Sequence, residues 1–274
     1  MIPNTDGDHD SSKYRKDRTM KRLIYLGDST VTFNKIATWP QCGLSQGLLL
    51  YLKDDVFLRS FAINGRSTKS FIDQGRLDQV DGYLEKGDVV LIQFGHNDSK
   101  ESDPARYAPV DVYEENLKKM IRTAKAHEAY PVIISPLTRR YFDECGAFLP
   151  GCHAGYPAAA KKAAEAEGVP FIDLTYVTEK YLAAIGEIAS RSLFVYPKDN
   201  THLVMEGAIV FAGFIADGLR ELGHPYVDLL CAHDAKTVDE DGKEALCPYM
   251  TFEGNGQAVD MQELKKSEYS NETE

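Results

Sequence analysis

Short apolar runs recur at 22–26, 56–63, 88–94, 131–136 and 169–174, and stretches of helical character separate them. The run at 88–94, "DVVLIQF", is apolar almost throughout and does not alternate, which marks a strand covered on both faces. Such strands alternating with helices predict a parallel sheet with helices on both sides. The helical stretches fall around 43–53, over "TKSFIDQGRLDQVDGYL" (68–84), at about 111–128, over 156–168 and within "TEKYLAAIGEIA" (178–189). Gly168 is placed to end the fourth of these. A long closing helix is predicted over 201–222, where Val204, Ala208, Phe211, Ile215 and Leu219 recur on one face.

This alternation has a consequence for function. In open parallel sheets, ligands bind beyond the carboxyl ends of the strands. Gly27-Asp28-Ser29, Asn64-Gly65 and Gly95-His96-Asn97-Asp98 each follow a strand directly, so all three are expected at one end of the sheet. Each also reads as ordinary turn vocabulary.

Ser29 becomes a nucleophile only if a base lies within hydrogen-bond reach and the base is itself oriented. Of seven histidines, His9 lies in the N-terminal stretch and His233 beyond the core. His127 and His224 read as solvated positions on or after helices, and His153 sits in a Gly/Cys/Pro loop. His96 and His202 remain. In "YPKDNTHLV", Asp199 and His202 are three residues apart, so a tight turn can set the carboxylate against Nδ1 and leave Nε2 for a serine. The alternative is that Asp199, with Asn200-Thr201, caps the closing helix. Asn97 reads either as a turn residue or as an amide donor to an oxyanion, with the N–H groups of Gly65 and Ser29 beside it. Asp28 reads as the organiser of its turn.

Taken together, these four loops resemble the blocks of the SGNH (GDSL-like) hydrolases. Gly27-Asp28-Ser29 is similar to the first block, Gly65 to the second, Gly95-His96-Asn97-Asp98 to the third and Asp199-Asn200-Thr201-His202 to the last. Within that superfamily "INGRSTKSFIDQGR", "GDVVLIQFGHND" and "DNTHL" resemble the rhamnogalacturonan acetylesterases. The likeness spans about 21–222. It implies a three-layer α/β/α sandwich with a five-stranded parallel sheet, flavodoxin-like in architecture. It also implies removal of acetyl groups from pectin-type oligosaccharides by Ser29, His202 and Asp199, with Ser29, Gly65 and Asn97 forming the oxyanion hole. One departure is that the subfamily commonly has Gly-Trp-Gly-Gln where this chain reads Gly43-Leu44-Ser45-Gln46, which leaves the exact sugar preference open.

The alternation of strands and helices places one domain, read as the hydrolase domain, at 20–225. Residues 1–19 read as a disordered arm, and 226–274 as an acidic, partly disordered extension. Lys and Arg number 31 against 42 Asp and Glu, a net charge of −11 that argues against nucleic-acid partners. No apolar run approaches the roughly 20 residues needed to span a bilayer. The five cysteines are scattered without a C-x-x-C pair, and no apolar leader is evident, which together suggest a cytoplasmic protein. No H-E-x-x-H, phosphate-loop or dinucleotide motif is present, so neither metal nor cofactor is expected. "TVDEDGKEALCP" echoes a calcium loop but has Thr237 at the first ligand position and Pro248 where a glutamate is needed. The competing readings are a lysophospholipase or thioesterase of the same superfamily, a non-catalytic carbohydrate-binding protein, and a flavodoxin-like cofactor binder.

Overall fold

The computed structural model describes residues 20–231, together with the backbone of four short strands at Lys236–Val238, Glu244–Leu246, Glu253–Gly254 and Gln257–Ala258. The arm at 1–19 and most of 226–274, including the greater part of the calcium-loop echo, lie outside the described residues.

Strands β1 (Lys21–Gly27), β2 (Val56–Ser60), β3 (Val89–Gln93), β4 (Tyr130–Ile134) and β5 (Phe171–Ile172) form one sheet in the order β2-β1-β3-β4-β5. Every pairing is parallel. Alternate strand residues face two separate cores. Leu23, Tyr25, Leu91 and Val132 pack under α1 (Leu44–Leu48), α6 (Leu174–Ser190) and α7 (Met205–Leu222). Ile24, Leu26, Val90 and Ile92 pack under α2 (Thr68–Asp73), α3 (Arg76–Asp81), α4 (Val110–Ala126) and α5 (Tyr156–Glu167). The architecture is the expected three-layer α/β/α sandwich. Each fully buried Leu or Ile contributes about 1.5–3 kcal/mol.

The chain leaves β1 for one helical layer and β3 for the other. The carboxyl ends of these adjacent strands therefore flank a topological switch point, where an α/β sheet opens a crevice. Ser29 follows the first strand and Asn97 the second.

Local chemistry explains where the elements depart from expectation. The helical stretch over 68–84 breaks in two at Gly75, which takes a left-handed φ of 67°. The fifth strand is only two residues long, because Asp173 accepts from the Tyr176 N–H and starts α6 early. The closing helix begins at Met205 rather than 201, so Asn200 and Thr201 do not cap it. Leu203 instead bridges to Cys42 and Phe194, which holds that segment extended until Val204. Leu44, at the position of the family tryptophan, is fully buried in the core under α7 and does not face a substrate. Packing also continues past residue 225, since Tyr226, Leu229 and Leu230 are buried in the same cluster.

Helices α1 and α7 touch through backbone. A Cβ on Gly47 would collide with the Ala208 carbonyl, so the two helices approach as closely as they do only with glycine at this position.

Candidate active site

After β1 the chain closes a tight turn on Asp28. The Val31 and Thr32 N–H groups donate to the Asp28 carbonyl at 3.1 Å, and the Thr30 N–H and hydroxyl donate to Oδ1 at 2.9 and 2.8 Å. Asp28 is the turn's organiser, and burial pushes its carboxyl up from the usual range. Ser29 projects from this turn, and its Oγ lies 2.8 Å from Nε2 of His202. Nδ1 of His202 lies 2.6 Å from Oδ2 of Asp199, so the three side chains stand in line. With an ionised Asp199, Nδ1 must carry the proton, and Nε2 is left to accept from the serine.

Asp199 is held from its own turn as well. Its Oδ1 accepts the N–H groups of Thr201 and His202 at 2.6 and 2.9 Å. Burial would raise this carboxyl, but the bonds from the His202 ring and from these two N–H groups outweigh burial and hold it below the usual range. The cap expected of Asp199 is thus a turn that orients His202.

Asn97 is buried, and its amide is oriented by its partners. Lys100 Nζ donates to Oδ1 at 2.9 Å, while Nδ2 donates to the Arg66 carbonyl at 2.9 Å. An ammonium on the oxygen fixes which end is nitrogen and leaves one amide hydrogen over. Gly65 adopts a left-handed φ of 75°. The Ser29 and Gly65 N–H groups donate to no acceptor among the described residues.

Asp98 joins the β3 loop to the start of α2, its Oδ1 accepting the Thr68 N–H and hydroxyl at 2.9 and 2.5 Å. Burial pushes its carboxyl up to about 7. The remaining candidate histidines lie beneath the site. His96 is buried edge-on against His153, with ring centroids 4.5 Å apart, and His153 Nε2 lies 2.8 Å from the Leu137 carbonyl. Burial pushes His96 well down and His153 to about 4, so both are neutral and neither contacts Ser29. His127 and His224 face Asp81 and Asp228.

Arg139 and Arg140, in the loop after β4, grip the turn between Asp199 and His202. Arg139 Nη1 donates to the Thr201 hydroxyl at 2.8 Å and Nη2 to the His96 carbonyl at 3.2 Å. The Arg140 N–H donates to the Asn200 carbonyl at 2.8 Å and Nη1 to its Oδ1 at 3.3 Å. The rest of the Arg140 fork is spent on Ser190 and Glu187. These roles escape sequence reasoning because each contact spans 43 residues or more. Only the doubled arginine after a strand hints at them.

Among the described residues no cluster of His, Cys, Asp and Glu could hold a metal ion, and no helix is long and apolar enough to cross a membrane.

Residues 25–208 match the GDSL-like Lipase/Acylhydrolase family. The chain is 36% identical over 227 residues to rhamnogalacturonan acetylesterase RhgT of Bacillus subtilis, covering 78% of this chain and 96% of that one. It is 35% identical over 217 residues to the probable rhamnogalacturonan acetylesterase YesY of the same organism, covering 76% and 97%. The crystal structure of protein YxiM from Bacillus subtilis superposes with a TM-score of 0.68 at 26% identity, covering 76% of this chain and 58% of that one.

Proposed function

The chain belongs to the GDSL-like lipase/acylhydrolase family and is a carboxylic ester hydrolase, and from that premise we propose that it deacetylates rhamnogalacturonan-type oligosaccharides through a serine-bound acetyl intermediate. The observation that carries this reading is the line from Ser29 Oγ to His202 Nε2 at 2.8 Å and from Nδ1 to Asp199 at 2.6 Å. His202 takes the Ser29 proton as Oγ attacks the acetyl carbonyl, and Asp199 stabilises the imidazolium that forms. The N–H groups of Ser29 and Gly65 and the spare Asn97 amide hydrogen receive the oxyanion. His202 then gives its proton to the departing sugar oxygen. Water, activated by the same imidazole, cleaves the acetyl-enzyme to acetate and frees Ser29.

An acidic sugar is supported by the charge around the oxyanion donors. Lys100 sits on Asn97, Arg66 follows Gly65, and the Arg106 guanidinium lies 3.5 Å from where a Gly65 Cβ would stand. Burial lowers the Lys100 ammonium, with the Arg106 and Arg139 charges adding to the effect and Asp28 and Asp103 opposing it, and Arg106 pairs with Asp103 at 2.9 Å. Such a cluster in a chain of net charge −11 suits a uronate carboxylate. It does not suit the long acyl chain of a lysophospholipid or thioester.

The test is acetate release from acetylated pectin, xylan and chitin oligosaccharides, beside hydrolysis of acetyl and octanoyl p-nitrophenyl esters. Release from the pectic substrates and preference for the acetyl ester are expected. Preference for octanoyl would instead favour the lipase-type reading. Glycan binding without any ester hydrolysis would favour a binding protein.

A further inference from the structure

Between the nucleophile turn and α1 the chain makes a loop that is bonded to Ser29 and to the neighbours of His202 and Gly65. Its two ends close on one side chain, since the Asn34 and Gly43 N–H groups both donate to Gln46 Oε1 at 3.0 Å. Gln41 Nε2 donates to the carbonyl of Ser29 itself at 3.3 Å. The Cys42 N–H donates at 2.8 Å to the carbonyl of Leu203, the residue after His202. Asn34 Oδ1 accepts from Nδ2 of Asn64, the residue before Gly65, at 3.1 Å. The loop is therefore tied to the nucleophile, the general base and the oxyanion donors.

Its crest is apolar and exposed. Ile36 and Trp39 are three residues apart across the 3₁₀ turn Ile36–Thr38, a spacing that puts side chains on one edge. Ile36 is 92% exposed and Trp39 71%, with Phe33 also exposed nearby. Side chains this open stand on a projecting ridge, not in a groove. A large apolar group left in water beside a site is a contact surface for something that arrives there. An acyl chain needs an enclosed channel. A pyranose ring needs only a flat face for its axial C–H groups, and an exposed indole offers one.

We propose that Trp39 is a sugar-stacking platform, which seats a pyranose ring next to the acetylated residue and so selects oligosaccharides over small acetyl esters. The inference rests on the proposed deacetylation of oligosaccharides and adds the residue that recognises the chain.

Trp39 is the chain's one tryptophan, so indole fluorescence reads this position alone. Titrating the full-length Ser29→Ala variant with an acetylated rhamnogalacturonan oligosaccharide should shift the emission saturably to the blue. In the otherwise native enzyme, Trp39→Ala should lower the ratio of kcat/KM for the oligosaccharide to kcat/KM for p-nitrophenyl acetate by about tenfold, chiefly through KM. Trp39→Phe should recover most of the ratio. If the wild-type enzyme deacetylates the oligosaccharide while the emission and the ratio stay unchanged, the platform is overturned and the deacetylation stands. If wild type releases acetate from no oligosaccharide, the proposed function falls, and the platform with it.

Discussion

Ser29 and His202 meet at 2.8 Å, but the chain holds them by different means. Ser29 stands directly after a central strand, in a turn closed by its own neighbours: Asp28, Thr30, Val31 and Thr32. His202 follows no strand. Its turn hangs between a 3₁₀ segment and α7, and its outer residues are gripped by two arginines from a loop some 60 positions away. The first arrangement is local, closed by backbone and by the Asp28 carboxylate. The second has a local turn of its own on Asp199 and adds long-range side-chain bonds from Arg139 and Arg140. A local turn survives most distant substitutions, whereas a gripped turn is only as well placed as the residues that grip it.

Four measurements would break or sharpen this contrast. Ser29→Ala should reduce kcat by at least about 10⁴-fold, since the nucleophile and its base act as a unit. The melting temperature should hardly move, because the turn does not use the hydroxyl; clear residual esterase activity would remove Ser29 from the mechanism. Asn97→Ala should come next, with a loss of roughly 10²–10³ in kcat and little change in KM. A near-normal kcat per folded molecule with a lowered melting temperature would make Asn97 a structural residue only.

Arg140→Met probes the gripped turn. It should lower kcat by about tenfold, the penalty of a slightly misplaced catalytic group, and lower the melting temperature as well. Arg140→Lys should rescue little, because one ammonium cannot replace a fork that reaches Asn200, Ser190 and Glu187 at once. Full activity in both variants would show that the turn stands without its grip.

The last measurement concerns stability. Asp98 titrates at about 7 in the fold and near the ordinary carboxylate value when unfolded. Between those values the native state binds the extra proton, so unfolding free energy falls as pH rises from about 4 to 7. The loss is on the order of a few kcal/mol over that window. Asp98→Asn should flatten the slope in denaturant titrations at several pH values; an unchanged slope would place the linkage elsewhere. Asp199 has the opposite sign. Its carboxyl is held low, so its contribution is present above the ordinary carboxylate value and disappears only as pH falls through its lowered one.

The contrast also explains what the sequence disclosed. Ser29, Gly65 and Asn97 were legible because each follows an apolar run, and a parallel sheet brings such ends together. Asp199 and His202 were legible from their spacing of three. The start of α7 was not, because Asn200 and Thr201 have the side chains of caps, and only the bridges from Leu203 to Cys42 and Phe194 keep the helix from starting there. The grip of Arg139 and Arg140 left no local pattern beyond two adjacent arginines after a strand. Leu44 stands where the resemblance leads one to look for a tryptophan, and the first turn of α1 buries it in the core. His96 reads as a candidate base in sequence, but it is buried edge-on against His153 and does not contact Ser29.

Gly47 carries a consequence for catalysis although it lies in a helix and touches no reacting atom. Helix α1 follows the nucleophile loop, α7 follows the base turn, and the two meet backbone to backbone where a single methyl group would strike the Ala208 carbonyl. In the proposed mechanism, the spacing between two helices would serve as the gauge block for a proton-transfer distance, because one leads from the loop of Ser29 and the other from the turn of His202.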